Sequence, residues 1–191
     1  MNTNDQLYWN DFYKNKSSEL SGSSNFCVFV LNYFKENAKI SKVLDAGCGN
    51  GRDSYGLSTK YNVIGSDNSG YTATNTDRCN FEVSDFVSMN KTSFDMIYSR
   101  FTFHSITNTN HDVFLKSIKE NTYLCIETRS DKGIDAERHY GDGHYRNFTN
   151  LDYLKKILEN HNFNIEHIEE NVDMAIYKNE NPWCIRVICK K

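Results

Sequence analysis

The chain has no cluster of basic residues and no surplus of positive charge: its formal net charge is -3 over 191 residues. Affinity for polyphosphate backbones rests mainly on grouped Lys and Arg, so a nucleic-acid-binding surface is excluded. It also lacks an apolar run long enough to span a bilayer, and Met1 to Asn10 has neither the basic nor the apolar zone of a signal peptide. A cytoplasmic location with no membrane partner is expected. Six cysteines, Cys27, Cys48, Cys79, Cys125, Cys184 and Cys189, are scattered, without the close pairs of a zinc site or the density of a disulfide scaffold. Reduced, mostly buried thiols are expected instead. Proline is almost missing, with Pro182 alone, beside abundant Asn, Lys, Ile and Tyr. An AT-rich coding sequence produces that bias without functional pressure, so the Asn-rich stretches carry no functional weight.

The length suits a single domain over residues 1–191 with one continuous core. An N-terminal arm over about residues 1–38 opens with Tyr8-Trp9-Asn10-Asp11-Phe12-Tyr13, aromatics placed to lie over another surface or to close a pocket. Ser23 or Ser24 offers an N-cap for a helix over 25–37, in which Phe26, Phe29, Val30, Tyr33 and Phe34 share one face. From Lys42 short apolar runs alternate with polar or amphipathic segments, and 43–46, 62–66, 81–83, 94–98 and 123–127 are predicted strands. That alternation predicts right-handed crossovers and a largely parallel sheet. The connection 67–80 is weakly helical. A better helix covers 110–120 with Asp112 in its first turn, and another covers 151–159 under a Thr149 cap. Two last strands, 163–168 and 174–188, close the sheet as an antiparallel hairpin interrupted by Asn179-Glu180-Asn181-Pro182.

The most informative stretch is Val43-Leu44-Asp45-Ala46-Gly47-Cys48-Gly49-Asn50-Gly51-Arg52-Asp53. A short apolar run ends in a carboxylate and passes into alternating glycines, which permit positive φ and leave room for a nucleoside ligand against the backbone. The glycines run G-x-G-x-G rather than G-x-G-x-x-G, and an acidic residue precedes them, unlike a dinucleotide fingerprint. The segment resembles motif I of the class I S-adenosylmethionine (SAM) dependent methyltransferases, and the resemblance is strongest over 42–99. It implies an α/β fold: a Rossmann-like, seven-stranded, mostly parallel sheet with a C-terminal antiparallel hairpin and helices on both faces. It also implies SAM as cofactor, S-adenosylhomocysteine (SAH) as product, and a cofactor site of Asp45, Gly47, Cys48, Gly49 and Gly51 on the first loop. Asp67 with Asn68 would follow at the ribose, Asp85 with Phe86 at the adenine, and Ser99 at the end of the fourth strand. Read singly, Asp67 and Asp85 are equally well turn residues that cap the next helix.

Ligands of open α/β sheets bind beyond the carboxyl ends of the strands, so Tyr98 to Ile106 and Glu127 to Asp131 should face the methyl group. His104 has a suitable resting pKa for a proton acceptor, with Glu127 and Asp131 as competing bases; the alternative for His104 is a helix-start residue satisfied by backbone. Arg100, Arg129, His144, Tyr145 and Arg146 are candidate acceptor-binding groups, joined in the same polar stretch by Arg138 and His139. Guanidinium groups bind phosphate or carboxylate bidentately, which suits an anionic acceptor. The bland alternative is a solvated loop paired internally with Asp131, Asp135, Glu137 and Asp142. His139 and His144 lack a recognised ligand spacing, so no metal is expected.

The N/D-P-P-Y/F motif of many amine methyltransferases is absent after the fourth strand, which counts against DNA adenine or protein glutamine methylation. The segments Tyr-Ser-Arg-Phe-x-x-His and His-Tyr-Arg-x-Phe resemble small methyltransferases encoded with glycan-modifying enzymes. The expected activity is O-methylation of a small polar acceptor such as a sugar, nucleotide-sugar or phosphorylated glycan precursor. N- or S-methylation of another metabolite, and a catalytically silent partner subunit of the same fold, are the competing readings.

Overall fold

The computed structural model describes residues 3–16, 22–133 and 144–191. Its elements run α1 (Thr3–Lys16), α2 (Asn25–Tyr33), β1 (Lys42–Ala46), α3 (Arg52–Ser58), β2 (Asn62–Asp67), β3 (Cys79–Val83), β4 (Met96–Arg100), α4 (Asn108–Lys116), β5 (Tyr123–Arg129), α5 (Leu151–Asn160), β6 (Asn164–Asn171) and β7 (Cys184–Lys190). The seven strands form one sheet in the order β3-β2-β1-β4-β5-β7-β6. Every pairing is parallel except those of β7, which runs antiparallel between β5 and β6. The parallel set and terminal antiparallel pair match the architecture expected from the sequence.

Alternation along the strands divides the core into two layers. Leu44, Ile97, Leu124, Ile126 and Val187 face α4 and α5, while Val43, Val63, Met96, Cys125 and Ile188 face α2 and α3. The central strands are therefore apolar on both sides, as a parallel sheet covered by helices requires. Residues one apart in β1 serve opposite layers, and each fully buried Leu, Val or Phe contributes about 1.5–3 kcal/mol of hydrophobic stabilisation. Cys27, Cys79, Cys125, Cys184 and Cys189 are free buried thiols, and Cys48 is free and partly buried.

Several local expectations move. Ser24 caps α2, accepting from the Cys27 N–H at 3.1 Å, but the helix ends at Tyr33 rather than 37. Tyr33, expected on the buried face, is exposed, with its ring against Phe29 and Phe34. The 68–78 connection forms no helix, because its Ser, Thr, Asn and Gly residues offer no apolar stripe to bury. Asn150, not Thr149, caps α5: its side chain accepts from Asp152 and Tyr153 N–H at 3.0 and 3.2 Å. Thr149 is buried and its hydroxyl meets that of Thr128 at 3.2 Å. The last strand begins at Cys184, leaving 172–183 as a connection that returns to the carboxyl edge of the sheet.

Candidate active site

The loop after β1 is built by its glycines. Gly47, Gly49 and Gly51 have φ of 77°, 54° and 81°, conformations that disfavour any residue with a Cβ. A Cβ on Gly47 would collide with Thr102 Cγ2, and one on Gly49 would meet the Tyr13 ring at 2.5 Å. A Cβ on Gly51, which precedes α3, would meet Phe81 at 2.7 Å and Ala73 at 2.9 Å. Protein side chains close all three positions; Gly47 and Gly49 also line a cavity of about 350 Å³ at the carboxyl ends of the strands, and Gly51, expected in the cofactor site, does not.

Asp45, Cys48, Asp67, Asn68 and Phe86 line that cavity. Asp67 accepts the N–H groups of Gly49 and Ser69 at 2.9 and 2.8 Å, which fixes the glycine loop against the end of β2. Asp45 accepts the Ser54 hydroxyl at 2.5 Å, and burial raises its carboxyl to about 7. Burial beside Asp45 and Asp67 pushes the Cys48 thiol well up, so it is not a nucleophile. A buried anchor sits behind: Asp53 accepts the Ser24 N–H and hydroxyl and the Tyr98 hydroxyl, each at 2.7 Å. Helix α1 supplies the roof through Tyr8, Trp9, Phe12 and Tyr13. It is tied down by Gln6 Nε2 donating to the Asn68 carbonyl at 2.7 Å and by Asp5 accepting the Tyr145 N–H at 2.9 Å. Burial, with the Asp67 carboxylate next in effect, raises the Tyr13 phenol well above its ordinary range.

Part of the lining is cationic and aromatic. Arg100, Phe101, His104, Arg129 and Arg146 form it, with Tyr177 and Glu180 from the β6–β7 connection. Phe101 has φ of 60° and its ring lies under Arg100 at 4.3 Å and Arg129 at 5.8 Å. His104 is 4% exposed. Its Nδ1 accepts the Arg129 N–H at 3.4 Å and lies 3.4 Å from the Thr128 hydroxyl. Burial first, then the charges of Arg129 and Arg146, hold the imidazole well below its ordinary pKa. It is neutral near pH 7, with its proton on Nε2.

Other expected residues are drawn elsewhere. Glu127 is fully buried between two guanidinium groups, Arg100 Nε at 2.8 Å on Oε1 and Arg186 Nε at 2.8 Å on Oε2, and does not line the cavity. Both oxygens are committed to buried ion pairs, so Glu127 is a structural anion and not a base. Asp131 is also off the cavity: its backbone pairs with Thr149 and its carboxylate with the Asn150 side chain. Asp85 accepts Val87 N–H and Ser88 Oγ at 3.0 and 3.1 Å, the turn-capping role, while its neighbour Phe86 lines the site. Ser99 is buried against Thr102. His144 stacks on Tyr8 at 4.2 Å, and it and Tyr145 hold α1 rather than line the cavity. Arg138 and His139 lie outside the described residues. Sequence reasoning gave no role to Arg52, Asp53, Tyr177 and Glu180, which line the cavity, whereas Tyr98 and Thr102, also in the lining, fall in the segment expected to face the methyl group.

A methyltransferase domain family matches residues 23–168. The chain belongs to that methyltransferase family. Among curated proteins no sequence matches. Solved structures of similar fold include 1,6-didemethyltoxoflavin-N1-methyltransferase from Burkholderia thailandensis, crystallised with 1,6-didemethyltoxoflavin and SAH. It is 15% identical with a TM-score of 0.72, over 97% of this chain and 86% of that one. A TehB-like SAM-dependent methyltransferase from Corynebacterium glutamicum is 16% identical with a TM-score of 0.67 over all of both chains. The glycopeptide N-methyltransferase MtfA, complexed with SAM, is 11% identical with a TM-score of 0.63, over 88% of this chain and 94% of that one. The cofactor of this methyltransferase is SAM, and the residues present suit it: a two-glycine floor, the Asp67 carboxylate and the Phe86 wall line the same cavity.

Proposed function

We propose that this methyltransferase acts on an oxygen of a small, anionic, polar acceptor of the sugar-phosphate, nucleotide-sugar or phosphorylated-glycan class. When bound, SAM supplies an electrophilic methyl group. Asp45, Gly47, Gly49, Asp67, Asn68 and Phe86 would hold that cofactor, under the α1 roof that excludes water. The observation that carries the acceptor reading is the convergence of Arg100, Arg129, Arg146 and His104 on the same cavity that the glycine loop lines. Guanidinium groups at a half-buried site are strong, directional partners for phosphate or carboxylate oxygens.

In this reading Arg129 and Arg146 bind the anion, and the neutral His104 donates from Nε2 to an acceptor oxygen and fixes its angle of approach; as the methyl–oxygen bond forms and the methyl–sulfur bond breaks, a hydroxyl's proton passes to the acceptor's own phosphate or carboxylate. Alignment of the two reactants is a large part of what such a site contributes. Arg100 is oriented from behind by Glu127, itself held by Arg186. The test is steady-state turnover on a panel of phosphorylated and carboxylated sugars, monitored by SAH release. Arg129→Ala and Arg146→Ala should raise the acceptor's KM with SAH affinity nearly unchanged, the signature of lost uniform binding. KM values equal to that of the wild type in both variants would remove these arginines from acceptor binding.

A further inference from the structure

The connection between β6 and β7 carries a small finger. Tyr177 and Glu180 exchange backbone hydrogen bonds, N–H to carbonyl at 3.0 and 2.9 Å, and Lys178 turns the tip with φ of 53°. The finger delivers the Glu180 carboxylate to the cavity, where Oε2 accepts Arg129 Nη2 at 2.6 Å. The hydrogen bond from Arg129, then the charges of Arg129 and Arg146, hold the Glu180 carboxyl below its ordinary range. The two partners are not equally fixed. Arg129 ends β5, its backbone N–H on His104 and its carbonyl accepting from the Thr149 N–H at 3.0 Å, and its side chain is 20% exposed. Glu180 is 58% exposed at its side chain and stands on the finger alone. A carboxylate of the chain itself thus rests on Arg129, one of the two guanidinium groups assigned above to the acceptor's anion, within reach of the charge of the other, Arg146.

We propose that Glu180 is a built-in competitor for the acceptor, occupying the Arg129–Arg146 anion subsite until the acceptor's own phosphate or carboxylate displaces it. This rests on the anionic-acceptor reading and adds a specificity rule to it. A neutral or cationic molecule cannot replace the carboxylate on Arg129, whereas an anion can, so the exchange filters acceptors by charge. The exchange is inexpensive, because an ion pair with one mostly exposed partner is weak. Apparent affinity falls only by the fraction of molecules in which the subsite is free, a factor of about two to six for a pair of that strength.

Calorimetric titration of inorganic phosphate into the SAH-saturated protein, at constant ionic strength, reads the subsite without requiring turnover. Glu180→Gln should bind phosphate about two to six times more tightly than wild type. Arg129→Ala should weaken it about tenfold or more, and Glu180→Gln should bring no gain in the Arg129→Ala background. Unchanged or weaker phosphate binding in Glu180→Gln would make Glu180 a wall of the site and overturn the proposal, as would a gain that persists without Arg129. The two readings fail separately. Methyl transfer to an anionic acceptor with no response to Glu180→Gln would sink the competitor alone; the expected phosphate results with no transfer to any anion would keep the competitor and sink the acceptor assignment.

Discussion

The backbone N–H of Arg129 reaches Nδ1 of His104 at 3.4 Å, while the guanidinium of the same arginine holds Glu180. One residue therefore sets the tautomer of the imidazole and supplies the cation beside it. With Nδ1 accepting and the ring neutral, the single ring proton lies on Nε2, and His104 presents a donor where the sequence suggested a proton acceptor.

That assignment is testable by replacement. His104→Gln, whose amide can donate in place of Nε2–H, should keep turnover within about tenfold of wild type, whereas His104→Ala should fall further; loss of a general base costs about 10² to 10⁴ in rate whichever residue replaces it. The depressed pKa also fixes a sign: the charged form is populated only well below the ordinary histidine range, so no acid limb belonging to His104 should appear near neutrality. A limb there that vanishes in His104→Gln would restore the base.

Asp45 gives a second pH dependence. Its carboxyl is raised to about 7, chiefly by burial, so in the free protein it is substantially protonated below that value. SAM and SAH carry an ammonium group, which favours the ionised carboxylate nearby. Affinity for SAH should therefore rise with pH up to about 7 and level off above it, with net proton release on binding. Calorimetry in buffers of different ionisation enthalpy measures both; Asp45→Asn should flatten the profile. A flat wild-type profile would place Asp45 out of electrostatic reach of the cofactor.

Glu127 separates a structural anion from a catalytic one. Glu127→Ala leaves Arg100 and Arg186 without their shared buried partner, and breaking a buried pair in this way costs about 3–5 kcal/mol. Urea denaturation should show that loss. Near-native stability combined with abolished turnover would identify Glu127 as the base after all.

The range of each interaction decides how far the sequence can be read. Strands β1, β2 and β5 are legible because their apolar runs are local, and the glycine loop is legible because Gly47, Gly49 and Asp67 need only their own backbone conformations and the ends of adjacent strands. Glu127 is not, because the second of its two guanidinium partners, Arg186, which takes up its other oxygen, is paired with it only through the antiparallel β5–β7 register. Its chemistry at a strand end is indistinguishable from that of a base until β7 is placed. Thr149 and Asn150 are both competent caps one residue apart, and a threonine pair with Thr128 across the chain decides between them. Glu180 lies in a stretch that announces only a break between strands. Its meaning emerges when the connection returns it to Arg129. Arg138 and His139, two of the acceptor candidates, lie outside the described residues.

The identity of the group that receives the methyl is the most direct test. Purified protein should be incubated with SAM labelled isotopically at the methyl carbon and a metabolite extract, and the products resolved by charge before mass spectrometry. The predicted result is label transferred to oxygen in a small phosphorylated or carboxylated molecule, with SAH formed in equal amount and the yield reduced by Arg129→Ala. Label accumulating in a neutral or cationic product, and insensitive to that substitution, would contradict it.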